Sequence, residues 1–390
     1  FHVAHFKESH ESRAHGDVLN TDHDPQQQRL RAYHPDILEI RRNYARYADA
    51  VQRMDSDVGA VLEQLEADGL ADDTIVIFTT DHGGVMPASK RFVTDSGIHA
   101  PFIIRIPEKF QHLWPAESPG MTVDRLVSFV DMPKTWLSIT GAEVPDYMQG
   151  RIFLGPDAEP EAKMHFAFTS RMVERYYEMR AVRTKDLLYI KNYKPYISTG
   201  QPLSYLWQVV ATRAWEAHHK AGLTDAVTGK FFQPRQPVEE LYAVRQDPDN
   251  VVNLIDHPDY QEDLAKLRRG LRAWQLRVRD AGMLAEEEMK RRAAAHETTI
   301  YKMVRDPDLY PLESYLDAAD IALAAAPAQQ GRLLQFLRDD DSGLRYWGAV
   351  GLLMLDEIDP VAVRALSARL EDEAHAVRAL AAWALFDAGH

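Results

Sequence analysis

The spacing of apolar and polar positions divides this chain into three stretches of different rhythm. The opening FHVAHF reads as a buried strand carried by Phe1, Val3 and Phe6. Residues 8–28 are polar, rich in His and Gln, and read as loop. Apolar residues then recur every three or four positions: Ile37, Ile40, Tyr44, Tyr47, Val51, Met54, Val58, Val61, Leu62 and Leu65. That period predicts one long helix over 35–68, with Pro35 in the first turn and Gly69 as its C-terminal cap. TIVIFTT (74–80) and PFIIRIP (101–107) are continuous apolar runs and read as strands. RLVSFVDMPKTWLSITG (125–141) reads as a helix closed by Gly141. Strands alternating with helices predict an α/β domain over 1–155 whose sheet is mainly parallel and covered on both faces.

Residues 156–312 change character and read as a small α+β subdomain. MRAVRTKDLLYIKNY (179–193) alternates like a hairpin, EELYAVRQDPDNVVNLI (239–255) reads as a strand and a turn, and 264–289 as a charged surface helix. The last stretch, 313–390, repeats itself. LRDDDSGLRYWGAVGLL aligns with LEDEAHAVRALAAWALF at an offset of about 33 residues, in the range of helical repeats. Leu337 matches Leu370, Asp339 matches Asp372, Leu344 matches Val377 and Arg345 matches Arg378. The pattern resembles HEAT repeats, with a weaker helix over 314–326. It predicts two antiparallel helix pairs that bury Leu337, Leu344, Leu352, Leu370, Val377 and Leu385.

Composition narrows the function classes. The chain has 390 residues, enough for two or three domains, and a net charge of -14. That charge argues against a nucleic-acid or anionic-membrane surface. With no cysteine there is no disulfide, thiolate metal site or thiol nucleophile in these residues. No apolar run is long enough for a membrane-spanning helix. A chain that opens in a strand, without Met or signal peptide, reads as a fragment whose targeting information lies upstream.

The candidate chemistry starts at Asp81-His82, which follow the TIVIFTT strand. Ligands of α/β sheets gather at the carboxyl ends of strands. An Asp capping a turn beside a hydrogen-bonded His is the alternative reading. Lys90-Arg91 lie downstream, before DSGIHAPFIIRIP, and SHES (9–12) lies upstream with His10. A carboxylate, two imidazoles and a cation on one rim suit an anion held by a divalent metal. His2, His5, His15, His23 and His34 crowd the beginning, but their spacing fits no zinc pattern.

The block GLADDTIVIFTTDHGG…KR…DSGIHAPFIIRIP resembles the type I sulfatases of the alkaline-phosphatase-like superfamily. The likeness extends over about residues 1–300. SHESR and the helical tail are most similar to the branch that includes bacterial relatives of heparan N-sulfatase. The resemblance implies part of an alkaline-phosphatase-like sandwich and hydrolysis of sulfate esters or sulfamates on sulfated sugars. It also implies calcium and a formylglycine nucleophile. Asp81 would be a calcium ligand. His82 would bind the metal or touch the sulfate. Lys90 would contact sulfate oxygens, with Arg91 as the alternative. His10 would protonate the leaving oxygen. Arg171 and Glu174, in TSRMVERYYEMR, would touch the sugar or form a solvated face. A periplasmic or secreted location is implied as well.

The chain departs from the family in two places. It has no C/S-x-P-x-R motif to mature into formylglycine, and no early Asp-Asp pair for the metal. Both are expected upstream, so these residues alone are expected to be inactive and to bind calcium weakly. Two alternatives remain at this point. One is another member of the superfamily, such as a phosphodiesterase. The other is a non-catalytic remnant whose HEAT-like repeats contact protein partners.

Overall fold

The computed structural model describes every residue except Phe1, Val18, Leu19 and Gly83. Its contacts divide the chain into two units. The first comprises Phe1–Lys191, Ser198–Gln233 and Glu239–Leu264, and the second Asn192–Ile197, Pro234–Val238 and Ala265–His390.

The first unit opens without a strand. Residues 2–6 form no ladder, and Val3 is 54% exposed. Phe1 itself lies outside the described residues. Val3 and Phe6, read as part of a buried strand, find no pairing partner there; Val3 stays in water and Phe6 is half-buried. Helix α1 (Leu38–Ala67) follows, close to its predicted span. It ends where expected: Gly69 takes φ 67, and its N–H reaches the Glu66 carbonyl. The first half of α1 buries Ile40, Ala45 and Ala50, whereas Val61 and Leu62 in the second half are exposed.

Strand β1 (Val76–Thr79) pairs with β2 (Phe102–Arg105), and the short helix α2 (Asp95–Ile98) lies between them in sequence. This pairing is antiparallel, with Val76 opposite Arg105, which corrects the mainly parallel sheet. The burial pattern supplies the reason. Ile103 is exposed on one face while Phe102 and Ile104 pack against Phe153 and Trp136 on the other. A parallel sheet needs both faces covered. The predicted helix over 125–141 is also shorter. Ser128 and Asp131 form a capping box around a 3-10 turn, and Pro133 sits in the first turn of α3 (Met132–Ile139).

A four-stranded sheet completes the unit, in the order β3 (His165–Met172), β4 (Arg175–Arg183), β5 (Leu187–Asn192), β6 (Glu239–Ala243). The β3–β4 and β5–β6 pairings are antiparallel. The β4–β5 hairpin matches the alternation in 179–193. Strand β3 and helix α4 (Val210–Lys220) were not predicted.

An aromatic cluster ties α1 to the loop before Lys90. The imidazole of His34 is buried beside Tyr33, Tyr44 and Trp215. Its Nε2 lies 2.8 Å from the Pro87 carbonyl and its Nδ1 2.9 Å from the Tyr44 hydroxyl. A carbonyl can only accept, so Nε2 carries the proton and Nδ1 accepts. Burial pushes the His34 pKa down to about 4 from 6.5. Between those values the unfolded chain binds a proton that the folded one refuses. Stability is therefore full above pH 6.5 and declines toward pH 4, by about 3 kcal/mol. Denaturant midpoints at pH 7 and pH 4.5 check this. His34→Gln keeps a donor and an acceptor without titrating, so its loss of stability over that interval is expected to be smaller. Equal losses in the two proteins would refute the assignment.

The second unit is helical: α5 (Gln261–Val278), α6 (Glu286–Ala295), α7 (Ile300–Met303), α8 (Leu312–Leu323), α9 (Gln330–Leu337), α10 (Ser342–Met354), α11 (Pro360–Ser367) and α12 (His375–Asp387). The single helix expected over 264–289 breaks at Arg279, which takes φ 58, and Asp280 caps the following turn. Helix α10 packs on α8, α9 and α12. Gly348 makes one close approach possible, since a Cβ there would lie 2.6 Å from the Leu337 nitrogen. The two aligned arginines adopt the same local geometry. Arg345 donates to the carbonyls of Asp339 and Asp340, and Arg378 to those of Asp372 and Glu373. Leu337, Leu352, Val377 and Leu385 are buried and Leu344 is half-buried. Leu370 departs from expectation at 40% exposed, because it falls in the 3-10 turn Ala368–Glu371 rather than in a packed helix.

Candidate functional site

The site is assembled from two turns far apart in sequence. His10 caps the 3-10 turn Glu11–Ala14. The Ser12 N–H donates to His10 Nδ1 at 3.2 Å, and the Ser12 hydroxyl lies 2.9 Å from the same atom. Nδ1 is therefore the acceptor, and in neutral His10 the proton sits on Nε2. The second turn carries Lys90 and Arg91. Ser89 holds it through its hydroxyl, which donates to the Ser96 carbonyl at 2.7 Å.

Glu11 joins the turns. Its side chain is fully buried and accepts both arms of the Arg91 guanidinium, at 2.8 and 2.6 Å. Lys90 Nζ lies 3.7 Å from the same carboxylate. Arg91 is 5% exposed at its side chain and its fork is engaged by Glu11, whereas Lys90 remains partly open. Withdrawal from water lowers the His10 pKa first, and the Lys90 charge lowers it further. Glu11 and Asp81 oppose that shift, and His82 adds to it. His10, Glu11, Lys90, Asp81 and His82 thus share one electrostatic neighbourhood.

Asp81 and His82 follow the carboxyl end of β1. Asp81 Oδ1 lies 3.5 Å from His82 Nε2, with the carboxylate 89% exposed and the imidazole 21% exposed. Calcium takes six to eight oxygen ligands. Asp81 offers one carboxylate and His82 a nitrogen, and among the described residues no three acidic or histidine groups are placed to hold a metal. The donor set here does not fit calcium.

Arg171 and Glu174 sit at the tip of the β3–β4 hairpin. Arg171 Nη1 donates to the Val173 carbonyl at 2.8 Å. Glu174 accepts the Ser204 N–H at 2.6 Å, which holds its pKa down. The next residue, Tyr205, borders the first turn. Its ring packs edge-on against His15 at 4.6 Å and lies 5.8 Å beneath the Arg91 guanidinium. The hairpin tip therefore reaches the rim of the site through residues 204–205.

Two participants escaped the sequence reading. Glu11 lies inside SHES, where nothing in the sequence links it to Lys90-Arg91, 80 residues away. Tyr205 had no signal either, since its segment was assigned no element. The DSGI block acquires a physical account. Asp95 is buried and accepts Arg183 Nε at 2.8 Å, while its own N–H donates to the Asn250 side chain at 2.7 Å. Ser96 meets the Tyr33 hydroxyl at 3.2 Å. These residues are the scaffold under the Lys90 turn.

Comparison with known proteins gives the chain's relatives. The Sulfatase family model matches residues 1–142. An ulvan-active sulfatase of Formosa agariphila is 35% identical over 257 residues, covering 66% of this chain and 42% of that protein. Human N-sulphoglucosamine sulphohydrolase is 28% identical over 269 residues, covering 65% of this chain and 51% of its own. The chain thus spans about half or less of the length of these relatives. A solved 2-O GAG sulfatase is 18% identical with a TM-score of 0.45, covering 71% of this chain and 51% of that one.

Proposed function

We propose that these residues form part of a sulfatase site that hydrolyses sulfate esters or sulfamates of a sulfated saccharide. The observation that carries this reading is the electrostatic neighbourhood of His10, Lys90, Asp81 and His82 within the segment that the Sulfatase family model matches. The substrate class rests on the relatives, which include ulvan-active sulfatases and an N-sulphoglucosamine sulphohydrolase.

The chemistry assigned to this chain is limited to its own groups. Lys90 places a point charge against sulfate oxygens, where negative charge builds as the bond to the sugar breaks. His10, once protonated to imidazolium, gives its Nε2 proton to the departing oxygen or nitrogen and returns to neutral imidazole. Its lowered pKa eases the transfer once the ring is protonated. Asp81 and His82 sit at the rim of the same neighbourhood. The attacking group is not among these 390 residues, which contain no cysteine and no S-x-P-x-R sequence. For the whole protein we propose a formylglycine nucleophile and calcium supplied with further ligands, and a periplasmic or secreted location. The helical second unit is proposed to be HEAT-like, on the matching geometry of Arg345 and Arg378.

The test is an assay of this chain and the full-length gene product side by side. An aryl sulfate, N-sulfated glucosamine and ulvan oligosaccharides serve as substrates, with calcium present. Turnover by the full-length protein alone is expected. Turnover by the 390-residue chain would refute the assignment of the nucleophile outside it. A full-length protein that cleaves phosphodiesters and no sulfate ester would replace the sulfatase reading with its nearest alternative.

A further inference from the structure

The Lys90 turn contains a residue in an unfavourable backbone conformation. Arg91 takes φ 83, in the left-handed region that side chains other than glycine seldom adopt. Ala88, in the same turn, takes φ 62. Such strain persists only where the surroundings over-determine it. At Arg91 the surroundings are explicit: a bidentate pair to the fully buried Glu11, and the Tyr205 ring beneath the guanidinium. Two parallel N–H···O bonds fix direction as well as distance. Glu11 immediately follows His10, and Arg91 immediately follows Lys90. The clasp therefore joins the two turns one residue away from each proposed reacting group.

We infer that Glu11 and Arg91 are positioning residues, a clasp that sets the distance between His10 and Lys90 and that neither touches substrate nor transfers a proton. The functional meaning rests on the sulfatase reading, but the geometry does not. The clasp also accounts for why two adjacent cations do different work. Arg91 presents the fork that a buried carboxylate needs, and Lys90 keeps a single, partly exposed ammonium 3.7 Å from it.

The test reads the coupling between His10 and Lys90 in this 390-residue chain, with no substrate. Lys90 lowers the His10 pKa alongside the opposing carboxylates of Glu11 and Asp81 and the second imidazole of His82. The His10 ring is followed by NMR titration. Lys90→Gln is expected to raise its pKa in the parent chain. The same substitution is then made in Arg91→Lys, which keeps the charge and loses the fork. There the rise is expected to shrink to about half or less, because coupling between neighbours depends on their fixed geometry. Arg91→Gly provides a second background that removes the clasp while suiting the left-handed backbone, so the result does not depend on one variant folding. An undiminished Lys90 effect in either folded background would overturn the clasp. Failure of sulfate turnover in the full-length protein, with the coupling lost as expected, would overturn the sulfatase reading and leave the clasp in place.

Discussion

Lys90→Ala in the full-length protein is expected to lower kcat roughly 10²–10³-fold, in the range found on removing one electrostatic stabiliser of a transition state. The argument begins with what Lys90 touches. Its ammonium lies 3.7 Å from Glu11, beyond a strong hydrogen bond, and its side chain is 20% exposed. Arg91 already satisfies that carboxylate. Lys90 is therefore only loosely paired with Glu11 and stays partly exposed. Negative charge on the leaving oxygen and the sulfate increases toward the transition state, so the loss should fall on kcat more than on KM. A Michaelis–Menten comparison on an aryl sulfate checks this. Lys90→Arg, which keeps the charge, should recover part of the rate. Unchanged kcat in Lys90→Ala would remove the residue from the reaction. A rise in KM alone would reduce it to ground-state binding.

Some local signals in the sequence carried over into structure, whereas the FHVAHF strand and the unbroken helix over 264–289 did not. The three- and four-residue period of Ile37, Ile40 and Tyr44 marked α1, and Gly69 marked its end. The alternation through 179–193 marked the β4–β5 hairpin. What the sequence obscured was pairing. TIVIFTT and PFIIRIP are apolar enough for a parallel sheet, but strand direction is set by which segments meet, and these two meet antiparallel. The exposed Ile103 could not be told from the covered Ile104 by composition alone. Similarly, Leu337 and Leu370 align in the repeat but differ in burial, since α9 runs through Leu337 whereas α11 stops at Ser367, three residues short of Leu370.

The candidate site was legible as residue types and illegible as contacts. His10 and Lys90 were selected for their chemistry and spacing, and they fall in one electrostatic neighbourhood. Arg91, adjacent and equally charged, was an equal alternative in the sequence. Only the buried Glu11 separates their roles, and a partner 80 residues away leaves no periodic trace. Arg171 and Glu174 are candidates only through the family resemblance, as sugar contacts or a solvated face. Their visible bonds, to Val173 and Ser204, hold the hairpin tip and the neighbouring loop.

Gly97→Ala is expected to destabilise the first unit by about 2–3 kcal/mol or more, and to displace the Lys90 turn. Two principles predict opposite signs here, which makes the substitution informative. Gly97 lies within the helix α2 and has no left-handed φ. By helix propensity alone, Ala should be the better residue by about 1 kcal/mol. The packing argues otherwise. A Cβ on Gly97 would point at the carbonyl oxygens of Phe92 and Ser89, both far inside contact distance, with the Phe92 carbonyl carbon 3.2 Å away. These are backbone atoms and cannot rotate aside. Overpacking typically costs 1–3 kcal/mol when side chains can adjust, and here the chain itself must move. Ser89 and Phe92 bracket Lys90 and Arg91, so relief of the clash shifts the turn that presents both cations. Chemical denaturation of this chain measures the stability. The His10 titration measures the turn: the effect of Lys90→Gln on the His10 pKa should weaken in the Gly97→Ala background. A variant as stable as the parent, or more so, would show that propensity outweighs the contact and that the turn has room to yield. A less stable variant that retained the full His10–Lys90 coupling would confine the role of Gly97 to packing and free the Lys90 turn from it.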